Sequence, residues 1–410
     1  MSQPASPSNA AVAADGIGGS VRRAWQWLRQ PAMAAERVPD SMSLYLDLVR
    51  WGAAMLVVLY HLKEREFGTA WLNAHLPGNG HAYVTIFFVL SGFVIAATMD
   101  RKRSLGPVEY ALDRASRLYS VALPVLLICT AMAIWWPATQ ADAAYEFART
   151  YPLATLLANA LFLGNAWYLD AAPFLNGPYW SLCYEAMYYV AFGVWVFARG
   201  AARWGLLALV ALVAGPKIAL LMPCWLLGVW LYRWRNRVPL SPAAALGVAL
   251  AALAVPVALH AAGAGRFLKE GSALLLGDRY ADFSHSVNFL GDYVTAVAFS
   301  LHLAAMYWVR LPWPAWLAAA ARIGASMSFT LYLFHLPVVS VAMQLLGEHK
   351  RTNGAVVAVV LAVLLACYLL SRLTEANRPA LRRLLERLLS RADRAARGAP
   401  SAAGAAARPS

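Results

Sequence analysis

Leu44-Tyr45-Leu46-Asp47-Leu48-Val49-Arg50-Trp51-Gly52-Ala53-Ala54-Met55-Leu56-Val57-Val58-Leu59-Tyr60-His61-Leu62 is an apolar run interrupted by two charges and a histidine. At about 1.5 Å per residue it is long enough to cross a hydrocarbon core roughly 30 Å thick. Ionisable groups in such a span are costly and need polar surroundings. At about 100° per residue, Asp47, Arg50 and His61 fall within roughly 60° of one another, so one helical face carries all three. Along the axis His61 lies roughly 16 Å from Arg50 and roughly 21 Å from Asp47. The stretch reads as a membrane helix with a polar interior face, Asp47 and Arg50 near one end and His61 near the other. Taken alone, the same residues equally suit an i,i+3 ion pair that steadies a helix end and an interfacial histidine with local partners.

Working outward, comparable windows recur at 83–99, 120–136, 180–198, 205–215, 217–232, 242–263, 288–309, 323–346 and 354–372. The expectation is an all-α, polytopic membrane protein of about ten transmembrane helices. The pair around Gly215-Pro216-Lys217 also reads as one longer broken helix, and 153–169 suits either an eleventh helix or a re-entrant segment. With 60% of the 410 residues hydrophobic and 14% charged, the chain departs from soluble composition and leaves no room for a large soluble domain. Residues 1–43 form a tail, 44–373 the membrane unit and 374–410 a basic tail.

The net charge of +14 resides in short loops and tails beside apolar spans, which excludes a nucleic-acid reading and favours both termini in the cytosol. Val21 to Arg29 places Val21, Trp25 and Leu28 on one face of an interfacial helix, and no cleavable signal peptide is evident. The run Pro379 to Leu389 alternates leucine and arginine faces, as a helix lying on an anionic leaflet does. Cys129, Cys183, Cys224 and Cys367 lack metal-ligand spacing and read as packing thiols, with no metal site and no disulfide expected. No internal repeat of the transporter type is visible.

Four further elements follow the first span in order: Phe87-Phe88-Val89-Leu90-Ser91-Gly92-Phe93; Arg114-Ala115-Ser116-Arg117-Leu118-Tyr119 in a cytosolic loop; Tyr179-Trp180-Ser181-Leu182-Cys183-Tyr184-Glu185; and Tyr332-Leu333-Phe334-His335-Leu336-Pro337. Together they resemble the signature of the acyltransferase-3 family of membrane O-acyltransferases. The resemblance runs from about Leu44 to Leu373. Residue by residue, Asp47, Arg50 and His61 match the family's first-helix positions, Arg114 and Arg117 its cytosolic arginine pair, and Trp180, Ser181 and Glu185 its Trp-Ser-Leu-x-x-Glu element. Leu48, Ser120 and Cys183-Tyr184 depart from common family residues without removing a group capable of acid-base chemistry.

The resemblance implies transfer of an acyl group, acetyl as the family's usual case, from cytosolic acyl-CoA to a hydroxyl of a cell-envelope or exported glycan or glycolipid at a bacterial inner membrane. No permanently bound cofactor is expected, and no nucleic acid; membrane lipid and the glycan are the expected partners. Arg50, Arg114 and Arg117 are candidates for the CoA phosphates. His61 is the candidate general base, with Glu185 orienting its imidazole. Asp47, Trp180, Ser181, Tyr332 and His335 are supporting residues, Ser328, Tyr332 and His335 forming an inward polar stripe with Pro337 freeing a backbone carbonyl one turn earlier. His302 and Asp292 match no motif and read as packing or solvated-end residues. The family's appended esterase-like domain is not expected after the last span. Two rival readings remain: a transporter or flippase using the same charged face, and a structural or assembly subunit without catalysis.

Overall fold

The computed structural model describes residues 38–67, 74–75, 80–102, 104–136, 145–309 and 312–398, with side chains up to Arg391. The expected interfacial helix at Val21 to Arg29 lies outside them. The described residues are mostly helical, without a strand among them: α1 Asp40–Glu64, α2 Gly80–Arg101, α3 Pro107–Trp135, the short α4 Glu146–Thr150, α5 Pro152–Ala160, α6 Trp180–Phe197, α7 Gly200–Trp234, α8 Pro242–Ala261, α9 Ala264–Leu276, α10 Phe289–Met306, α11 Ala315–Leu346, α12 Asn353–Leu373 and α13 Arg378–Gly398. Among the described residues, eight helical segments are long and apolar enough to cross a membrane. The chain is a polytopic helical membrane protein.

Two readings left open are resolved, and one expectation changes. The windows 205–215 and 217–232 belong to the single segment α7, broken at Gly215, whose φ of 78° and ψ of 177° interrupt the helical backbone. Only glycine adopts that conformation cheaply, and Pro216 removes the N–H that would bond the carbonyl of Leu212. Trp167 repairs the break: its indole donates to that carbonyl (2.6 Å) and its backbone N–H to Ala214 (3.0 Å). Secondly, α5 has nine residues, a rise of about 14 Å, too short for an eleventh span. Thirdly, α3 begins at Pro107, so Arg114 and Arg117 stand in its first turns and not in a loop. The apolar window began only at 120 because that first part is polar, yet Asp113, Arg114 and Ser116 are buried there. The 18-residue α6, polar in its first half, falls outside the eight segments but packs in the core.

Close backbone packing sets the depth of the polar groups. A Cβ on Gly92 would stand 2.0 Å from the Trp225 carbonyl oxygen, and one on Gly228 1.9 Å from that of Val89. The α2–α7 crossing therefore depends on two glycines facing each other's backbone, the usual device where helices meet in lipid. It places Ser91 against Trp225, whose indole donates to the Ser91 hydroxyl (3.2 Å). In α11, Pro337 leaves the Leu333 carbonyl without its helical donor, and the Asn176 amide supplies one at 2.9 Å. That bond fixes the loop before α6, and with it Trp180 and Ser181, against α11. The four cysteines are buried and free.

Candidate functional site: an arginine end and a histidine end

At one end of the bundle α1, α3 and α13 bring cations together. Arg50 pairs with Asp47 at 3.7 Å. Arg114, buried beside Asp113 and ion-paired with it, also lies over the Tyr189 ring at 5.4 Å, and Arg117 lies over Phe329 at 5.8 Å. Asp113 is the hub: Arg378 donates to its carboxylate at 2.8 Å and to its carbonyl at 3.1 Å, with Arg382 at 3.5 Å and Lys102 at 3.8 Å. The first turn of α13 is thus docked on α3.

Arg50, Arg114 and Arg117, widely separated in sequence, line one cavity of about 690 Å³ including its open mouth. A second cavity of about 770 Å³ shares Arg117 and Phe329 with it and adds Arg372, Glu375 and Arg378. The first cavity runs between α2 and α6 to Val84, Ser181 and Tyr332. There the Ser181 and Tyr332 hydroxyls meet at 2.7 Å, and Tyr332 donates to the Pro178 carbonyl at 3.2 Å.

Glu185 belongs to this cavity and not to the imidazole of His61. Its carboxylate accepts from Ser91 and from Tyr189 (2.6 Å). The carboxylate that holds His61 is Glu64, three residues on in the same helix, 3.0 Å from Nδ1 and also bonded to the Tyr60 hydroxyl. The expectation misjudged this because Glu185, a turn and a half into α6, lies deeper than His61, near the helix end.

His61 and His335 approach with ring centroids 5.3 Å apart. His335 is fully buried, and its Nδ1 donates to the carbonyls of Leu331 (3.0 Å) and Tyr332 (2.8 Å), which leaves Nε2 as a bare, buried acceptor. The stripe Ser328, Tyr332, His335 faces inward as its spacing requires, all three buried, although the Ser328 hydroxyl bonds its own helix at Ala325 (2.9 Å).

Beyond His61 stands a group that sequence reasoning did not assemble. His81 opens α2, and His285 sits in the turn before α10; both rings lie against Trp180, at 5.2 Å and 4.7 Å. His81 faces Asp292, and His285 faces Asp170. Burial raises the Asp170 carboxyl, but the neighbouring His285 and Ser284 outweigh it and bring it down to about 2, so it stays ionised at neutral pH. Asp292 is buried, held by the Thr85 hydroxyl at 2.9 Å, and is no solvated helix end. His302 is the packing residue expected, bonded to Tyr45 and the Ala249 carbonyl. The i,i+3 spacing of His61 and Glu64 could have revealed that pair. Nothing in the spacing of His81, Asp170 and His285 announces their meeting.

The comparison with known proteins decides the class. Residues 43–372 match the family model of the acyltransferase domain, Acyl_transf_3, and that is most of the chain. The chain belongs to the acyltransferase-3 family. Among relatives it is similar to the acyltransferase MdmB of Streptomyces mycarofaciens, 27% identical over 36% of this chain and 37% of MdmB. It is also similar to the exopolysaccharide production protein ExoZ of Rhizobium meliloti, 28% identical over 33% of this chain and 38% of ExoZ. The matched stretch thus spans little more than a third of either relative. No solved structure matches.

Proposed function

We propose that the protein transfers an acyl group, acetyl by preference, from acyl-CoA bound at the arginine end to a hydroxyl of an envelope or exported glycan presented at the histidine end. The observation that carries this reading is the cavity that starts among Arg50, Arg114 and Arg117 and ends at Ser181 and Tyr332. Tyr332 lies 6.5 Å, ring to ring, from His335, which in turn faces His61. A phosphate-bearing head and a long thin arm suit that shape, the guanidinium groups supplying charge-assisted donors. In this reading the nucleotide end lies in the second cavity, which shares Arg117 and Phe329 with the first and adds Arg372 and Arg378.

In the chemistry, Glu64 holds the Nδ1 proton of His61, so that Nε2 presents its lone pair. The acceptor hydroxyl gives its proton to Nε2 as its oxygen attacks the thioester carbonyl. The C–S bond then breaks, the new ester remains on the acceptor, and the imidazolium returns its proton to the departing CoA sulfur. Glu185 keeps Ser91 and Tyr189 in place along the donor path.

The arginine end faces the cytosol in this reading, with both tails on that side of a bacterial inner membrane, as the basic tails favour. Cysteine reporters in either tail are expected to resist impermeant labelling of intact cells; labelling of one would reverse the assignment. The function is tested by titrating acetyl-CoA into the purified protein and by mass spectrometry of envelope glycans from cells with and without it. Saturable binding and acetyl mass increments that vanish with the protein are expected. Absence of binding, or unchanged glycans, contradicts the reading.

A further inference from the structure

We infer that His81, Trp180 and His285, with Asp292 and Asp170 behind them, form the subsite that receives the acceptor, and that it is built for a neutral, hydroxyl-rich ring such as a pyranose. The inference rests on the acyl-transfer reading for its purpose, but its geometry stands apart from the donor cavity.

The three rings are nearly parallel: His81 is tilted 21° and His285 3° to the indole. The imidazole centroids are 6.1 Å apart, too close for the rings to lie on opposite faces of Trp180, so they sit side by side on one face. Trp180 is buried beneath them, while His81 and His285 are 28% and 27% exposed. The result is a flat, half-open patch with polar edges.

Each imidazole faces a carboxylate without bonding it. His81 Nδ1 is 4.0 Å from Asp292 Oδ2, and His285 Nε2 is 3.8 Å from Asp170 Oδ1. Asp292 Oδ2 is buried and has no hydrogen-bond partner among the described residues. Such an atom in a membrane protein calls for a reason. A hydroxyl both donates and accepts, so one seated beside such a pair bridges a carboxylate oxygen and an imidazole nitrogen that stand 3.8–4.0 Å apart. Two such pairs side by side suit two hydroxyls on one rigid frame. The carboxylates disfavour an anionic group at this spot, and among the described residues no three His, Cys, Asp or Glu side chains converge to hold a metal ion.

The local backbone is shaped for this arrangement. Ser284 has a φ of 46°, in the left-handed region that side chains other than glycine seldom adopt. Its hydroxyl is anchored on Asp170 at 2.6 Å, and the turn lays His285 flat on Trp180. The patch also adjoins the reacting imidazole: Glu64, the partner of His61, interacts electrostatically with His81, and the Tyr60 ring crowds Gly80, the residue before it.

The test uses the full chain in nanodiscs and saturation-transfer NMR with methyl glycosides of glucose, galactose and mannose as probes, acetyl-CoA titration being run in parallel. Wild type is expected to transfer saturation to at least one glycoside, and His285→Ala to weaken that binding by about tenfold or more while acetyl-CoA affinity stays within about threefold. Asp170→Asn, which keeps shape and lies on the half-exposed side, is the second variant should the first not fold, and it is expected to weaken binding as well. No saturation transfer to wild type, or equal transfer to wild type and a folded variant, overturns the subsite. Sugar binding that maps to these residues without any acetyl-CoA binding upholds the subsite and sinks the donor reading instead.

Discussion

The two ends of the bundle use charge differently. At the arginine end the cations are, apart from Lys102, guanidinium groups, which keep their charge at any physiological pH and present forked donors. One buried carboxylate, Asp113, gathers Lys102, Arg114, Arg378 and Arg382 around it, while Arg50 and Arg117 line the adjoining cavity. At the histidine end His61, His81, His285 and His335 are set among Glu64, Asp170 and Asp292. An imidazole carries one ring nitrogen that can donate and one that can accept. A fixed positive charge suits holding an anion; an imidazole held at one nitrogen suits moving a proton. The difference teaches a division of labour, binding of the donor at one end and bond-making at the other, with the Ser181–Tyr332 pair between.

The division can be broken at four points, starting with the largest effect. His61→Ala is expected to lower single-turnover transfer by about 10²–10⁴ while acetyl-CoA affinity is retained, the usual worth of a general base; loss within a factor of a few would mean that another group takes the proton. Arg117→Ala, at the junction of the two cavities, is expected to weaken acetyl-CoA binding by about tenfold to a hundredfold, with Arg117→Lys recovering part of it. Unchanged affinity with lowered protein abundance would mark Arg117 as a topological anchor.

Gly92→Ala sits between the ends. Its new Cβ meets backbone, which cannot swing aside, so α2 and α7 must part. The expected cost is about 1–3 kcal/mol, read as a lower thermal midpoint with donor binding and transfer falling together. If only one of the two fell, the crossing would serve one end alone. Glu64→Gln has the smallest effect, a loss of at most about fivefold in transfer with donor affinity unchanged, because the side chain is 47% exposed and solvent screens its pairing with His61. A much larger loss would show that Glu64 does more than orient the ring.

How far the sequence foretold this arrangement depends on how local each feature is. Asp47, Arg50 and His61 lie on one helix, where periodicity alone fixes their faces and spacing. Arg114 and Arg117 became visible through an ordered motif, but their setting in α3 did not, because a helix start rich in Asp, Arg and Ser looks like a loop when apolar content is the signal. Gly215-Pro216 marked the break in α7 while leaving open whether one or two spans resulted; Trp167, nearly fifty residues earlier, closes the gap. Pro337 predicted a freed carbonyl, and only the fold reveals that Asn176 answers it. Glu185, expected at the His61 imidazole, bonds Ser91 and Tyr189 instead, since helical depth cannot be matched between separate spans from sequence alone. The His81–Trp180–His285 stack unites residues from three distant stretches, and no periodicity links them.

The measurement that bears most directly on the division of labour is a crossed one, made on a single preparation of wild type, His61→Ala and Arg117→Ala in nanodiscs. Acetyl-CoA affinity and the single-turnover rate at saturating acetyl-CoA are determined for each, with envelope glycan from cells lacking the protein as acceptor. The account predicts that His61→Ala loses rate and keeps affinity, while Arg117→Ala loses affinity and recovers most of its rate once saturated. Parallel loss of affinity and rate in both folded variants would contradict it, showing one undivided site in place of two specialised ends.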